Sequence, residues 1–136
     1  DNGNSLLYGL PDNQIKRLQK VQNTAARILT KTKKHEHISP ILESFHWLPI
    51  SSRIDYKILT LTYKCLHDLA PGYLQDLIHP HVPPPEHEHL RSGGKNLFDT
   101  LPRTRLVSYG DRSFEKVAPI LWNAPSQGIG DTDTLD

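Results

Sequence analysis

Residues 12–34 read DNQIKRLQKVQNTAARILTKTKK, and this stretch decides the fold of the N-terminal part of the chain. Its apolar residues recur at intervals of three and four, which is the spacing of an amphipathic helix. Pro11 suits a helix entry, because the first turn needs no amide hydrogen from its leading residue. We therefore predict a helix from Asp12 to about Lys34. Its apolar residues are Ile15, Leu18, Val21, Ala25, Ile28 and Leu29.

One side of this predicted helix is basic. At about 100° per residue, five basic side chains fall within a sector of roughly 60°, and the apolar residues centre on the opposite side. These five form the basic stripe: Lys16, Lys20, Arg27, Lys31 and Lys34. Lys and Arg that follow phosphates give salt-dependent affinity without base specificity. The other interpretation is an ordinary solvated helix face, although the stripe has no interleaved acids to relieve its charge repulsion.

Charge is divided unevenly along the 136 residues. Sixteen basic and fifteen acidic side chains give a formal net charge of +1. Residues 1–34 hold seven basic and two acidic groups, a net +5, whereas the remainder holds nine basic and thirteen acidic groups, a net −4. The total excludes a polybasic or polyacidic class of protein. The basic N-terminal block indicates a surface for nucleic acid or another acidic partner.

Two further helices are predicted after the first. Ser39 as N-cap and Pro40 at the first helical position predict a short helix that stops at the sequence HWLP (46–49). Ser52 as N-cap, with Asp55 three residues later, is a capping-box arrangement that starts a longer helix. The apolar arc of the longer helix is broad, which indicates that it is covered on more than one side.

The second half of the chain is predicted to be less regular. One or two helical turns follow Pro71, and a last turn or two, with Phe114, Val117 and Ala118 facing inward, end before Pro119. Residues 79–94 read HPHVPPPEHEHLRSGG, which is typical of an extended, exposed connector because it offers almost nothing to a core.

These patterns together predict a mostly α-helical fold. We expect a small helical bundle with a Pro/His-rich connector and a C-terminal extension of short strands or loops plus one short helix. The predicted organisation is a helical segment (1–78), a linker (79–94), an extension packed on the helices (95–125) and a disordered tail (126–136). No apolar run approaches the roughly 18–20 residues of a membrane span, so we expect no membrane partner.

The sequence predicts no catalytic chemistry of its own. Cys65, the single cysteine, excludes a disulfide scaffold and a cysteine-based zinc site. On the apolar side of a helix it indicates a small buried hydrophobe rather than a nucleophile. The motifs G-x-S-x-G, G-x-G-x-x-G, H-E-x-x-H and the phosphate-binding lysine loop do not occur. We therefore expect no catalytic residue, no cofactor and no small-molecule substrate in this segment, and a reducing compartment.

Histidine is frequent, with eight residues, several of them in pairs separated by one position. Such pairs reach a single metal ion only in extended geometry, and no cysteine supports a site. We therefore predict a polar linker rather than a metal centre. The pairs are His35 with His37, His79 with His81, and His87 with His89.

Several motifs, taken together in order, resemble a known protein family. They are SLLYGLP (5–11), IKRLQKVQN (15–23) with AAR (25–27), HWLP (46–49), RIDYKIL (53–59), YK (63–64) with LH (66–67), LAP (69–71) with YL (73–74), LRS (90–92), PRTRL (102–106), GDR (110–112) with Phe114, and AP (118–119) with LWN (121–123). Their order and spacing resemble the region directly after the polymerase palm in the reverse transcriptase of non-LTR (LINE-type, jockey-like) retrotransposons. The resemblance extends to about Asn123.

The resemblance implies a parent polyprotein that combines an apurinic-type endonuclease with an RNA-directed DNA polymerase. This segment then corresponds to the thumb and the C-terminal extension, whose helices hold the template–primer duplex, while the palm aspartates and the endonuclease site lie elsewhere. The implied partners are RNA or an RNA–DNA duplex and the palm domain, in the cytoplasm and nucleus. The basic stripe would face phosphates, Arg103 and Arg105 add two candidate contacts, and one apolar set would pack inward. That set is Ile15, Leu18, Val21 and Leu29.

Two other hypotheses stay open. The chain has no methionine, which indicates an excerpt of a longer reading frame, and residues 127–136 are glycine-rich and acidic where the family continues into a basic helix. That departure indicates a truncated or decayed copy, and a relic without function is one alternative. The other alternative is a helical protein-interaction module that offers the apolar face of its first helix to a partner.

Overall fold

The computed structural model describes residues 3–82, 98–101 and 110–124. Within these ranges the chain is mostly helical, and its only β pairing is an isolated antiparallel bridge between Pro80 and Phe98. The predicted mostly α-helical fold is confirmed. The helices are α1 (Asp12–Thr30), α2 (Ser39–Ser44), α3 (Ile50–Leu66), α4 (Gly72–Gln75) and α5 (Phe114–Asn123), with 3-10 turns at Asn4–Leu7 and Gly110–Arg112.

The chain divides into two compact units, residues 1–60 and 61–136. Helix α3 contributes its first part to one unit and its last turns to the other. Most of the predicted linker (79–94) and the whole predicted tail (126–136) lie outside the described residues, so these two assignments stay predictions.

Helix α1 ends earlier than predicted. It stops at Thr30 rather than near Lys34, because Lys31 adopts the left-handed conformation with φ of 54°. The amide of Thr32 donates to the carbonyl of Arg27 at 3.1 Å, and the amide of Lys31 donates to that of Ile28 at 3.4 Å. These two hydrogen bonds are a Schellman motif, which closes a helix by satisfying its last carbonyls. Residues after Lys31 therefore do not follow the helical wheel.

The starts of α2 and α3 also differ from the prediction. Helix α2 already includes Ser39, and Ile38 is its N-cap, because the Ile38 carbonyl accepts the first helical amide hydrogen bonds. Helix α3 begins at Ile50, two residues before Ser52, so Ser52 is not its N-cap. The Ile50 amide donates to Gln19 Oε1 of α1 at 2.8 Å. The sequence predicts Ser52 as the cap of α3. In the structure, a side chain of α1 accepts the hydrogen bond at the start of α3 instead.

The first unit packs α1 through glutamines rather than through its apolar residues. Gln22 is buried and its Nε2 donates to the carbonyl of Leu48 at 2.9 Å. Gln19 Nε2 donates to Gln22 Oε1 at 2.9 Å, so the two side chains form a relay that ends on the Ile50 amide. The relay holds the backbone on both sides of Pro49, where α3 begins. Among the described residues of this unit, Ala26, Leu42, Ile54 and Ile58 are buried apolar residues.

The prediction that the apolar face of α1 packs inward is wrong for most of its residues. Val21 and Leu29 are 68% and 63% exposed, and Leu18 is 37% exposed, whereas Ile15 is half-buried. For Val21 the physical reason is the glutamine relay, because the buried side of α1 is the side that can satisfy the Leu48 carbonyl and the Ile50 amide. The rotation of α1 about its axis therefore follows from these two hydrogen bonds. Leu29 lies on the same face as Gln22 but in the last turn of the helix.

The second unit joins α5 to the segment around Phe98. Asn123 Nδ2 donates to the Phe98 carbonyl at 2.7 Å, and the Phe98 amide donates to Asn123 Oδ1 at 3.1 Å. The Phe98 ring is buried and meets the Trp122 ring edge-on, with 6.0 Å between centroids. Val117 and Ala118 are buried, which confirms their predicted inward orientation. Pro119 does not end the helix as predicted.

The helix continues through Pro119 to Asn123. A proline inside a helix removes one intrahelical hydrogen bond, here the bond to the Glu115 carbonyl. The side chain of Pro119 is fully buried, and this apolar burial offsets the lost bond. The apolar residues directly after Pro119, which are Ile120, Leu121 and Trp122, therefore belong to α5.

Candidate nucleic-acid interface

Four residues of the basic stripe are exposed. Lys16 and Lys20 lie one turn apart on α1, while Lys31 is the C-cap of that helix and Lys34 lies in the turn that follows. Among the described residues none of these four lysines takes part in an ion pair. Their charge is therefore available to an anionic ligand.

The fifth stripe residue, Arg27, is used differently. Its guanidinium donates from Nη1 to the Lys33 carbonyl at 2.5 Å and from Nη2 to the Glu36 carbonyl at 2.8 Å. A planar guanidinium with several donors can hold two carbonyl groups at once, which a lysine ammonium does less well. Arg27 thus fastens the turn after α1, the turn that carries Lys34. We assign it as a positioning residue for that turn.

Replacing Arg27 by lysine keeps the charge and tests this positioning role. We expect the turn of residues 31–36 to lose its fastening and the free energy of unfolding to fall by about 1 kcal/mol, since these hydrogen bonds are solvent-exposed. Hydrogen exchange of the Glu36 amide, which donates to the Lys33 carbonyl, is the readout. Exchange at the wild-type rate in Arg27→Lys would show that the two carbonyl contacts do not order the turn.

Two further exposed basic residues lie close to the predicted lysines. Arg17 is exposed on α1, next to Lys16, and Lys33 is exposed in the turn between Lys31 and Lys34. The helical wheel placed Lys33 off the stripe, but the wheel does not apply beyond Thr30, where the helix ends. The seven basic residues counted in residues 1–34 include both Arg17 and Lys33, so this count was the signal in the sequence that could have predicted them. The other two predicted contacts, Arg103 and Arg105, lie outside the described residues.

Cys65, His67 and His81 have the following surroundings among the described residues. Burial raises the pKa of the Cys65 thiol, which keeps it protonated at neutral pH. The His67 ring packs against the Tyr63 ring with 4.2 Å between centroids. His81 Nδ1 lies 2.6 Å from Asp99 Oδ1, and both side chains are about half exposed. Within residues 3–82, 98–101 and 110–124, no three such side chains gather as they would around a metal ion.

A small cavity of about 140 Å³ lies where α1, α3 and the N-terminal segment meet, and Tyr8, Ile15 and Asp55 are among its lining residues. Burial raises the pKa of the Asp55 carboxyl. Burial first, and then the negative charge of Asp55, raise the pKa of the Tyr8 hydroxyl. Both shifts have the same origin, because an ionised group in this pocket loses hydration without gaining a cation.

Asp55→Asn therefore has a pH-dependent effect on stability. A carboxyl whose pKa is higher in the folded than in the unfolded state favours folding at pH below its unfolded value, and this contribution is lost as pH rises through the folded value. We expect Asp55→Asn to be more stable than the wild type at pH 7 and to show no such gain at pH 3. Urea unfolding at both pH values measures this. Equal stability of the two proteins at pH 7 would contradict it.

Comparison of the chain with protein-family models, with curated proteins and with solved structures finds no match. In the described part of the chain, none of the helices combines the length and the hydropathy needed to cross a bilayer.

Proposed function

We propose that α1 and the turn after it bind the phosphate backbone of an RNA–DNA duplex. The observation that carries this proposal is the group of exposed lysines that have no ion-pair partner among the residues that the structure describes. They are Lys16, Lys20, Lys31 and Lys34. The proposal rests also on the ordered motifs that resemble the region after the palm of a non-LTR retrotransposon reverse transcriptase.

The mechanism is electrostatic. Each lysine that meets a phosphate releases about one condensed counterion, and the entropy of release favours the complex at low salt. Lysine ammonium groups on flexible stems follow a charged backbone without reading base edges, so the binding is independent of sequence. Arg17 and Lys33 extend the positive field along the same part of the chain.

The role of this segment is to hold the template–primer rather than to react with it. In the proposed parent, an RNA-directed DNA polymerase, phosphoryl transfer belongs to the palm domain. Binding by this segment would raise the residence time of the duplex near that domain. The site of action is intracellular, in the cytoplasm and nucleus, where such a polymerase meets RNA and nicked DNA.

Lysine footprinting tests the proposal on the whole chain. The protein is acetylated briefly with and without an RNA–DNA hybrid, and the extent of modification at each lysine is read by mass spectrometry. We expect protection of Lys16, Lys20, Lys31 and Lys34. Lys64, which is exposed on α3, serves as the matched control. Protection of Lys64 alone, or equal modification of all lysines in the presence of the hybrid, would contradict the proposed interface.

A further inference from the structure

Helix α1 exposes a row of apolar side chains next to its lysines. The row is spaced by three and four positions, and Val21 and Ile28 in it are 68% and 71% exposed. The packed side of the helix is a neighbouring one, which carries Gln19 and Gln22. Apolar residues with this spacing form the seam along which a second helix packs. The apolar row consists of Leu18, Val21, Ala25 and Ile28.

The centre of the apolar row is concave. An open depression of about 360 Å³ is lined by Val21, Thr24, Ala25 and Ile28, with Lys20 at its rim. The first four residues stand at positions i, i+3, i+4 and i+7, which is the diamond that forms a hole in knobs-into-holes packing. Thr24 and Ala25 are the two smaller side chains of this diamond, and Val21 and Ile28 are the two larger ones. The hole is therefore shaped for a large apolar side chain from another helix.

The charges around the hole decide which helix fits. Helix α1 carries four basic residues, and Asp12 is its single acidic residue. A second copy of the same helix would bring like charges together, which is unfavourable. A helix with carboxylates beside its apolar seam would place them opposite Lys20 and its basic neighbours. The helix has no aromatic side chain on which a nucleic-acid base could stack, so the apolar row does not suit a single strand.

We propose that α1 binds an acidic amphipathic helix of a partner protein, with a leucine or phenylalanine side chain of that helix in the hole between Val21 and Ile28. A carboxylate of the partner faces Lys20. This inference goes beyond the proposed duplex binding, because it uses the apolar row rather than the exposed lysines as a group. The two activities share Lys20 alone.

The test uses the whole chain and two synthetic helical peptides. Both peptides carry leucine at the seam positions, and one has glutamate at the flanking positions whereas the other has lysine. We expect fluorescence anisotropy to show saturable binding of the acidic peptide and at least tenfold weaker binding of the basic peptide. Equal binding of both peptides, or binding of neither, would overturn the proposal.

Two variants fill the hole without making the surface less apolar. Ala25→Leu and Thr24→Leu each place a larger side chain in the lining of the depression, and Thr24 is exposed, so its replacement does not disturb a core. We expect each variant to bind the acidic peptide at least tenfold more weakly while binding the RNA–DNA hybrid like the wild type. Circular dichroism is the control, and we expect each variant to keep the helicity of the wild type.

The same variants separate the alternatives. Unchanged or tighter binding of the acidic peptide by Ala25→Leu and Thr24→Leu would show general apolar attraction and overturn the proposal. Binding of phosphatidylserine vesicles in place of the peptide would assign the row to a membrane surface and would also overturn it. Failure of duplex binding with retained peptide binding would contradict the proposed function and leave the helix docking site standing.

Discussion

Replacing Lys16, Lys20, Lys31 and Lys34 together by glutamate is expected to weaken binding of an RNA–DNA hybrid by about a hundredfold or more at 50 mM salt. Each replacement removes one phosphate contact and adds a negative charge that repels the backbone. All four side chains are exposed, so the substitutions should leave the free energy of unfolding within about 0.5 kcal/mol of the wild type. Fluorescence anisotropy with a labelled hybrid measures the affinity, and circular dichroism measures the fold.

A matched pair of double variants controls for total charge. Lys16→Glu/Lys20→Glu and Lys57→Glu/Lys64→Glu change the net charge of the chain equally, but the second pair lies on α3. We expect the α1 pair to lose roughly tenfold or more in affinity and the α3 pair to lose much less. Equal losses in the two pairs would mean that the hybrid responds to net charge rather than to the lysines of α1.

Replacing Gln19 and Gln22 together by leucine is expected to lower the free energy of unfolding by about 3 kcal/mol. Leucine has a volume similar to that of glutamine, so the main effect is the loss of hydrogen bonds. The Ile50 amide loses its acceptor at 2.8 Å and the Leu48 carbonyl loses its donor at 2.9 Å. A buried backbone group without a partner costs about 1–3 kcal/mol, and both of these groups are part-buried, so we expect about 1.5 kcal/mol from each. Since domains are stable by only about 5–15 kcal/mol, the change should be plain in urea unfolding.

Gln14→Leu is the control for this pair. Gln14 is exposed on the same helix, so the exchange of amide for leucine there should change the free energy of unfolding by no more than about 0.5 kcal/mol. Stability of the double variant Gln19→Leu/Gln22→Leu equal to that of Gln14→Leu would show that the relay does not fix α1 on the entry to α3.

The sequence predicts the existence of the helices well, because their signals are local. The three-and-four spacing from Ile15 to Leu29 requires only helical geometry, and α1 lies within the predicted range. Pro11 and Pro71 mark helix entries, and α1 and α4 begin at the residues directly after them. Inward orientation of Val117 is likewise a local consequence of spacing within a short helix.

The ends and rotations of the helices could not be predicted, since they depend on contacts distant in sequence. Lysine is an unusual residue for the left-handed position that ends α1 at Lys31, and glycine would have signalled it. The rotation of α1 follows from Gln19 and Gln22, which meet backbone groups 31 and 26 residues away. Hydropathy gives no weight to a glutamine that satisfies a buried backbone group, so the apolar face was expected to be the packed one.

Contacts of Arg27 within the turn after α1 also change the candidate interface from the one that the helical wheel predicts. A helical wheel grouped Arg27 with the lysines, but its guanidinium holds the carbonyls of Lys33 and Glu36. The exposed lysines therefore belong to a helix and a turn that Arg27 fastens, rather than to one continuous helix face.

The most direct test of the proposed duplex binding is the salt dependence of affinity for an RNA–DNA hybrid. If four lysines each meet a phosphate, the logarithm of the association constant should fall with the logarithm of salt concentration with a slope of about −3.6. The variant in which Lys16, Lys20, Lys31 and Lys34 are glutamate should show a slope near zero. A wild-type slope shallower than about −1, or the same slope in both proteins, would contradict electrostatic holding of the duplex by these lysines.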